Sequence, residues 1–384
     1  TDDFNQPLGS WDVSGVTNFT NYLYSGLAFN QPLDLLDVSS ATRCQSMFFN
    51  TQSFDQPLPN LQLTSATNLL GMFENAPVFN QDLSGWDVST ATNMERMFKN
   101  AAAFNGDLSG WNVANVTRMN EMFRGASAFD QDISGWDVSN VTGTFAMFTD
   151  AVSFNQPLDA WDLASLTDAR SMFQSAINFN QDLTSWTLPN LALCNGMFSN
   201  AQSFNGDIAN FTMTGVAALN SMFRSASSFN RDISSWDVSG VTDFYDLFDG
   251  AVSFNQPLNG WDVSSATRLS YMFQQANAFN QPLDQWDVSN ATYMERMFYS
   301  ADAFDQDLSG WTLNEGVYIR NFMDGVVLRP YYYDALLLTL AEGHPANIAL
   351  NSNSKYSNIP EVVAARMQLQ GELVGFSDGG ATDE

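Results

Sequence analysis

A phenylalanine returns every 25 residues, from Phe4, Phe29 and Phe54 through Phe279 and Phe304, thirteen times and without slippage. A period of that length dictates the fold more than any local propensity does, because a 25-residue unit cannot bury its own apolar side chains and must stack on its neighbours. All ten tryptophans, from Trp11 and Trp86 to Trp311, stand at the eighth position of a copy. Leu36, Leu61 and Phe211 fill that place in the other three copies.

Counted from its Phe, each copy is apolar at positions 1, 5, 8, 10, 13, 16, 19, 20 and 23. Positions 5, 8 and 10 read L-x-x-W-x-V, the spacing of a leucine-rich-repeat strand, with Trp and Val pointing inward and position 9 outward. The three- and four-residue intervals from position 13 to position 23 predict one or two short helical turns. The Thr of position 14 is placed to cap them. Asn or Asp at position 2 forms a polar ladder that satisfies main-chain groups where the chain bends. The expected fold is a solenoid of leucine-rich-repeat-like coils with a parallel β-ladder, advancing about 4.8 Å per coil, so that thirteen coils span roughly 60 Å.

The repeat occupies residues 1–326, and its copies are not equally regular. Pro59–Asn60–Leu61, and Pro189, Ala192, Phe211 and Ala217, depart from the consensus; drift accounts for the latter group, with a local bend or altered surface as the alternative. Arg329 stands where the next Phe is due. Residues 327–376 read as an α/β capping segment. Pro330 opens a helix that Gly343 ends, NIALNSNSKYSN is strand and turn, Pro360 opens a second helix, and VGFSDGG gives a short strand. Residues 377–384 read as the start of a linker. The beginning, TDDFNQPLGSWDVS, enters at the head of a copy, and the chain is expected to be an excised piece of a longer protein.

Forty-two acidic residues against fourteen basic ones give a formal charge of −28. That argues against nucleic acid and anionic membranes, which select basic patches. It suits a self-repelling extracellular protein, or one from salty surroundings, and no apolar run approaches the roughly 18 residues of a membrane span.

The repeat FNQDLSGWDVSTATNMERMF, Phe79 to Phe98, resembles the BspA-like leucine-rich-repeat surface proteins of the 25-residue type, a domain of unknown function found in mycoplasma lipoproteins. The tail from Tyr333 resembles the segment that closes such arrays. The resemblance covers essentially the whole chain. It implies a secreted or surface-anchored binding or adhesion module, and no catalytic activity.

Position 9 supplies the candidate ligand-binding residues Asp87, Asp137, Asp162, Asp237, Asp262 and Asp287, with Asp12 and Asp37 in the same row. Stacked about 5 Å apart they form a carboxylate track for a cation such as Ca²⁺ or for a glycan. The alternative is local: each Asp bonds a nearby Ser or main-chain group in a turn before position 11. Gln62, Asn112 and Thr187 keep hydrogen bonding there while losing charge, which favours the local role. Asp at position 4 exchanges with Pro and so marks a turn. Cys44 and Cys194 share apolar position 16 and are expected in the core, as are the methionines of position 19. His344 has no periodic partner, and no Ser-His-Asp set, Cys-His pair or phosphate loop can be assembled. The sequence therefore reads as a non-enzymatic module presenting a long face to a protein or glycan partner, without a required cofactor. An ice- or mineral-surface binder, suggested by the Thr row at position 14, is the alternative, ahead of a polysaccharide-active enzyme.

Overall fold

The computed structural model describes residues 3–59, 61–343, 350–372 and 376–382, so His344 and Asn60 lie outside the described residues. Two compact bodies emerge, Thr1–Leu191 and Ala192–Glu384.

In the N-terminal body one 25-residue copy makes one coil, and successive coils are tied by hydrogen bonds to equivalent places 24 to 28 residues away. The expected interior is there: Phe79, Met94, Met97, Phe98 and Ala101 are fully buried, and Trp86 is nearly so. Rings of successive coils lie face to face. Phe79 and Phe104 are 6.0 Å apart at 6°, and Trp111 and Trp136 are 6.4 Å apart at 4°. Within the contact between two coils, Phe98 also lies 4.0 Å from Phe104. The columns thus form offset stacks, which avoid the face-centred repulsion of ring quadrupoles.

The parallel β-ladder and the short helical turns are not there, and both failures have a local cause. Among the described residues of the repeat there is no strand. Coils meet in single parallel bridges at position 15, Asn68 with Asn93 and Asn93 with Arg118, one residue per coil. The L-x-x-W-x-V segment cannot extend because Trp86 N donates to Leu83 O and Ala91 N to Val88 O, closing two turns in what would be a strand. Side-chain alternation survives: Trp86 and Val88 are buried and Asp87 is exposed.

The helical reading fails at positions 18 and 22, which are left-handed in every copy: Arg96 has φ 58° and Asn100 φ 57°. A helix cannot pass a left-handed residue. Amides from 16 to 23 instead alternate between two partners. Met94, Arg96, Phe98 and Asn100 donate to carbonyls of the next coil, at Arg118, Asn120, Met122 and Arg124. Met97, Lys99 and Ala101 donate three residues back within their own coil, to Met94, Arg96 and Phe98. Glu95 N donates to Asn93 Oδ1. Every N–H of the segment is satisfied without helix or sheet, as buried main chain requires.

The side chains finish the joint between coils. Asn30 N donates to Asn5 Oδ1, and Asn105 N to Asn80 Oδ1, so the Asn row serves the main chain at the bend. Trp111 Nε1 donates to Leu83 O of the coil before, at 3.0 Å. The Thr of position 14 is not a helix cap: Thr92 is exposed and its hydroxyl donates to Thr67 O of the preceding coil.

The C-terminal body repeats this scheme. Leu219, Ser221, Phe223 and Ser225 donate to the carbonyls of Asp243, Tyr245, Leu247 and Asp249. It ends in α1 (Pro330–Gly343), β1 (Leu350–Asn351), α2 (Pro360–Glu372) and β2 (Phe376–Ser377), with β1 and β2 parallel. These are the only helices and strands among the described residues, 14 and 13 residues of helix and two of each strand. Tyr333, Leu336, Leu337 and Leu340 of α1 and Val362, Ala365 and Leu369 of α2 are buried. Ser352 Oγ donates to Val326 O, and Leu328 N donates to Ser354 Oγ, which fastens the segment to the last coil. Residues 378–382 belong to the same packing: Arg366 Nε donates to Asp378 Oδ2 at 2.6 Å and Thr382 N to Tyr356 O at 2.8 Å.

Candidate recognition face

The aspartates of position 9 each hold their own turn. Ser89 N donates to Asp87 Oδ1, Ser139 N and Oγ to Asp137 Oδ1, and Ala164 N to Asp162 Oδ1. Asp237, Asp262 and Asp287 take the same main-chain bond from Ser239, Ser264 and Ser289. The Ser hydroxyl and amide hold Asp87, Asp137, Asp237, Asp262 and Asp287 below the usual carboxylate range, since both bonds favour the charged form. Position 4 works alike, with Ser84 N donating to Asp82 Oδ1 and Ser134 N to Asp132 Oδ1. Among the described residues no group of three or more His, Cys, Asp or Glu is placed to hold a metal ion. Cys44 and Cys194 are free, buried thiols, each pushed up to about 12 by burial, so they stay protonated and pack as small apolar groups.

The turn at positions 15 to 21 is different in kind. Its main chain repeats, and its side chains do not. Every Arg and Lys of the repeat except Arg231 stands at position 15, 17, 18 or 21, and so does every Tyr except Tyr22. Within each body, contacts between coils bring these positions together. Arg96 Nε, Lys99 Nζ and Arg124 Nη1 converge on Glu121 at 2.9, 2.5 and 2.8 Å. Desolvation opposes ionisation of Glu121, yet the bonds from Lys99, Arg124 and Arg96 outweigh it and bring the carboxyl down to about 2. The side chains of Leu70, Glu95, Arg96, Asn120, Glu121 and Phe145 line a depression of about 240 Å³ beside this cluster.

In the C-terminal body the same positions carry aromatic rings. Arg268 lies 3.9 Å from the centre of the Tyr245 ring, and its Nη1 is 3.4 Å from Asp243. Tyr245 meets Tyr271 edge-on at 5.3 Å, and Tyr293 lies 6.5 Å from Tyr318 at 57°. In the same turns Asp246 and Asp249 are buried beside Arg224. Burial first, and the neighbouring Asp249 second, push Asp246 up to about 6. Tyr245, Arg268, Ser270, Tyr271, Tyr293 and Glu295 enclose a groove of about 400 Å³.

Reading the repeat by its consensus hides this face, because the residues that depart from the consensus are the ones that gather there. The signal was the distribution of Tyr and Arg across repeat positions.

No curated protein matches the chain. Among solved structures it is similar to the plant peptide hormone receptor RGFR1 in complex with RGF2, at 9% identity over 92% of this chain and 78% of that one, with a TM-score of 0.16. A family model described as "Mycoplasma protein of unknown function, DUF285" matches residues 1–111, 67–186, 93–211 and 219–325. Those segments run through nearly every coil described above, and the chain belongs to that family of repeat proteins.

Proposed function

We propose that the chain is a non-catalytic ligand-binding or adhesion module of the BspA-like kind, working outside the cell or on its surface, and that it meets its protein or glycan ligand with the turn face rather than the Asp row. The observation that carries this reading is the segregation of cations and tyrosines onto positions 15, 17, 18 and 21 of a chain whose formal charge is −28. Arg and Tyr are also the residues in which interface energy concentrates. The Asp row, by contrast, is accounted for by the turn it closes.

The test is an array of extracellular proteins and oligosaccharides probed with the whole chain and two kinds of variant. Arg43→Ala with Arg118→Ala, and Tyr318→Ala with Arg320→Ala, change turn-face side chains; Asp137→Asn with Asp162→Asn changes the row. Loss of a ligand with the turn-face sets and retention with the row set supports the proposal. The reverse pattern assigns binding to the Asp row, and an array with no ligand at all removes the binding role.

One observation favours an ice- or mineral-surface reading: Thr17, Thr42, Thr67, Thr92, Thr117, Thr142 and Thr167 form an exposed row in seven successive coils. Inhibition of ice recrystallisation at micromolar protein supports it, and no inhibition removes it.

A further inference from the structure

The groove between Tyr245 and Tyr293 has the chemistry of a sugar site, and we infer that it binds a neutral saccharide. This rests on the binding-module reading and names the ligand class for one part of its face. The volume, about 400 Å³, falls in the range of roughly 300–1,000 Å³ typical of small-molecule sites. Its walls combine ring surface with hydrogen-bonding groups of both senses: the Tyr293 hydroxyl and Ser270 donate and accept, Arg268 donates, and Glu295, which already accepts from the Tyr271 hydroxyl, has lone pairs to spare. A pyranose needs this pairing, since its C–H faces stack on aromatic rings while its equatorial hydroxyls both donate and accept.

Orientation of the rings separates the groove from the core. Buried columns stack in parallel, as Phe254 does on Phe279 at 7°. In the groove Tyr245 and Tyr271 stand at 64°, and Tyr293 is 54% exposed, so ring surface faces solvent. Tyr245 also ties coils together, under the Arg268 guanidinium and against Tyr271, while Tyr293 keeps about half its surface exposed. Beside the groove Arg296 Nε is buried with no hydrogen-bond partner, and the Cζ of the same guanidinium lies 5.9 Å from the Tyr271 ring centre. That guanidinium lies over the Tyr271 and Tyr299 rings and does not line the groove, so it adds no ligand contact.

Charge chooses among saccharides. Arg268 is already engaged by Asp243, Glu295 adds a carboxylate, and the chain carries −28 overall. Uronates and sulfated sugars meet that field as like charges, whereas a neutral hexose does not.

The experiment probes the whole chain on an array of neutral hexose oligosaccharides (glucose-, galactose- and mannose-based) and of uronate-containing and sulfated ones, then measures Kd by calorimetry for Tyr293→Ala, Tyr293→Phe and Arg268→Gln. Neutral oligosaccharides are expected to bind. Tyr293→Ala is expected to raise Kd about tenfold, the loss of one ring contact. Tyr293→Phe, which keeps the ring, should stay within about threefold, and Arg268→Gln should weaken binding beyond what any fall in its melting temperature accounts for at the assay temperature. Neutral glycan binding that survives both Tyr293→Ala and Arg268→Gln overturns this site but leaves the module reading standing. Binding only to acidic glycans, or only to proteins, does the same. An array without any ligand overturns both.

Discussion

Replacing Glu121 by Gln removes the centre of the charged cluster on the N-terminal body. The residue is 4% exposed, and its carboxylate accepts from Arg96, Lys99 and Arg124 at 2.9, 2.5 and 2.8 Å. Its descent from an ordinary 4.5 to about 2 corresponds to a ceiling of about 3.4 kcal/mol of native-state preference for the charged form. Arg96 and Arg124 are 49% and 41% exposed, so solvent screens part of that, and about 1–3 kcal/mol is the expected loss in Glu121→Gln at pH 7. The contribution is present above the unfolded pKa and disappears as pH falls through the folded one. Wild type and Glu121→Gln should therefore differ most at about pH 6–7, by less than half as much at about pH 3, and hardly at all below about pH 2. Urea unfolding of both proteins across that range, followed by hydrogen exchange of the Phe98 and Phe123 amides to confine the effect to these coils, measures it. Equal stability at pH 7, or a difference that does not change between pH 7 and pH 3, refutes the assignment of the cluster.

Trp136→Phe should cost about 1–3 kcal/mol, because Leu108 O loses the indole N–H that donates to it at 3.0 Å, and Trp136→Ala about 3–5 kcal/mol from the added cavity; denaturant midpoints rank the two. Asp246→Asn should stabilise by about 1–3 kcal/mol at pH 7. The buried carboxyl titrates at about 6, so wild type loses stability as pH rises from about 4 to 6, and the advantage of the variant vanishes below about pH 4 in thermal scans. Melting in calcium and in a chelator should give the same temperature, since the Asp row is spent on bonds from the next residue but one, as Ser89 to Asp87; a rise in calcium of several degrees would restore a cation site. Val at position 22, as in Asn200→Val at φ 57°, should cost about 1–2 kcal/mol in denaturant unfolding, whereas Asn200→Gly should be close to neutral.

Period and burial were legible because they rest on composition at fixed spacing. Phe104, Trp111, Val113 and Met122 lie inside as positions 1, 8, 10 and 19 demand, and the Asn row bonds main chain at the bend. Trp11, in the first copy, departs from that rule and is 56% exposed. Secondary structure was not legible from the same pattern. L-x-x-W-x-V has the alternation of a strand, yet the Asp of position 9 and the Ser of position 11 are turn formers, and the turns they make end any extension. The apolar spacing from 13 to 23 suits a helix, but it also suits a chain of turns. The discriminating signal was at positions 22 and 18, where Asn50, Asn75, Asn100, Gly125 and Gly250, and Asn21, Gly71, Gly196 and Asn321, tolerate the left-handed conformation; Arg96, Glu121 and Tyr271 at position 18 carry no such mark and share the bonds between coils. The recognition face was illegible for the opposite reason. Tyr245, Tyr271 and Tyr293 are single departures from the consensus, each in a different copy, and only the stacking of coils makes them neighbours.

The most direct measurement of where ligand meets this chain is hydrogen exchange by mass spectrometry of the whole protein, free and saturated with whichever array ligand binds best. Slowed exchange is predicted in peptides spanning positions 15 to 22, strongest around Tyr245–Glu295 for a neutral saccharide, with peptides confined to positions 6 to 11 unchanged. Protection confined to the Asp row, with the turn face unaffected, would contradict it.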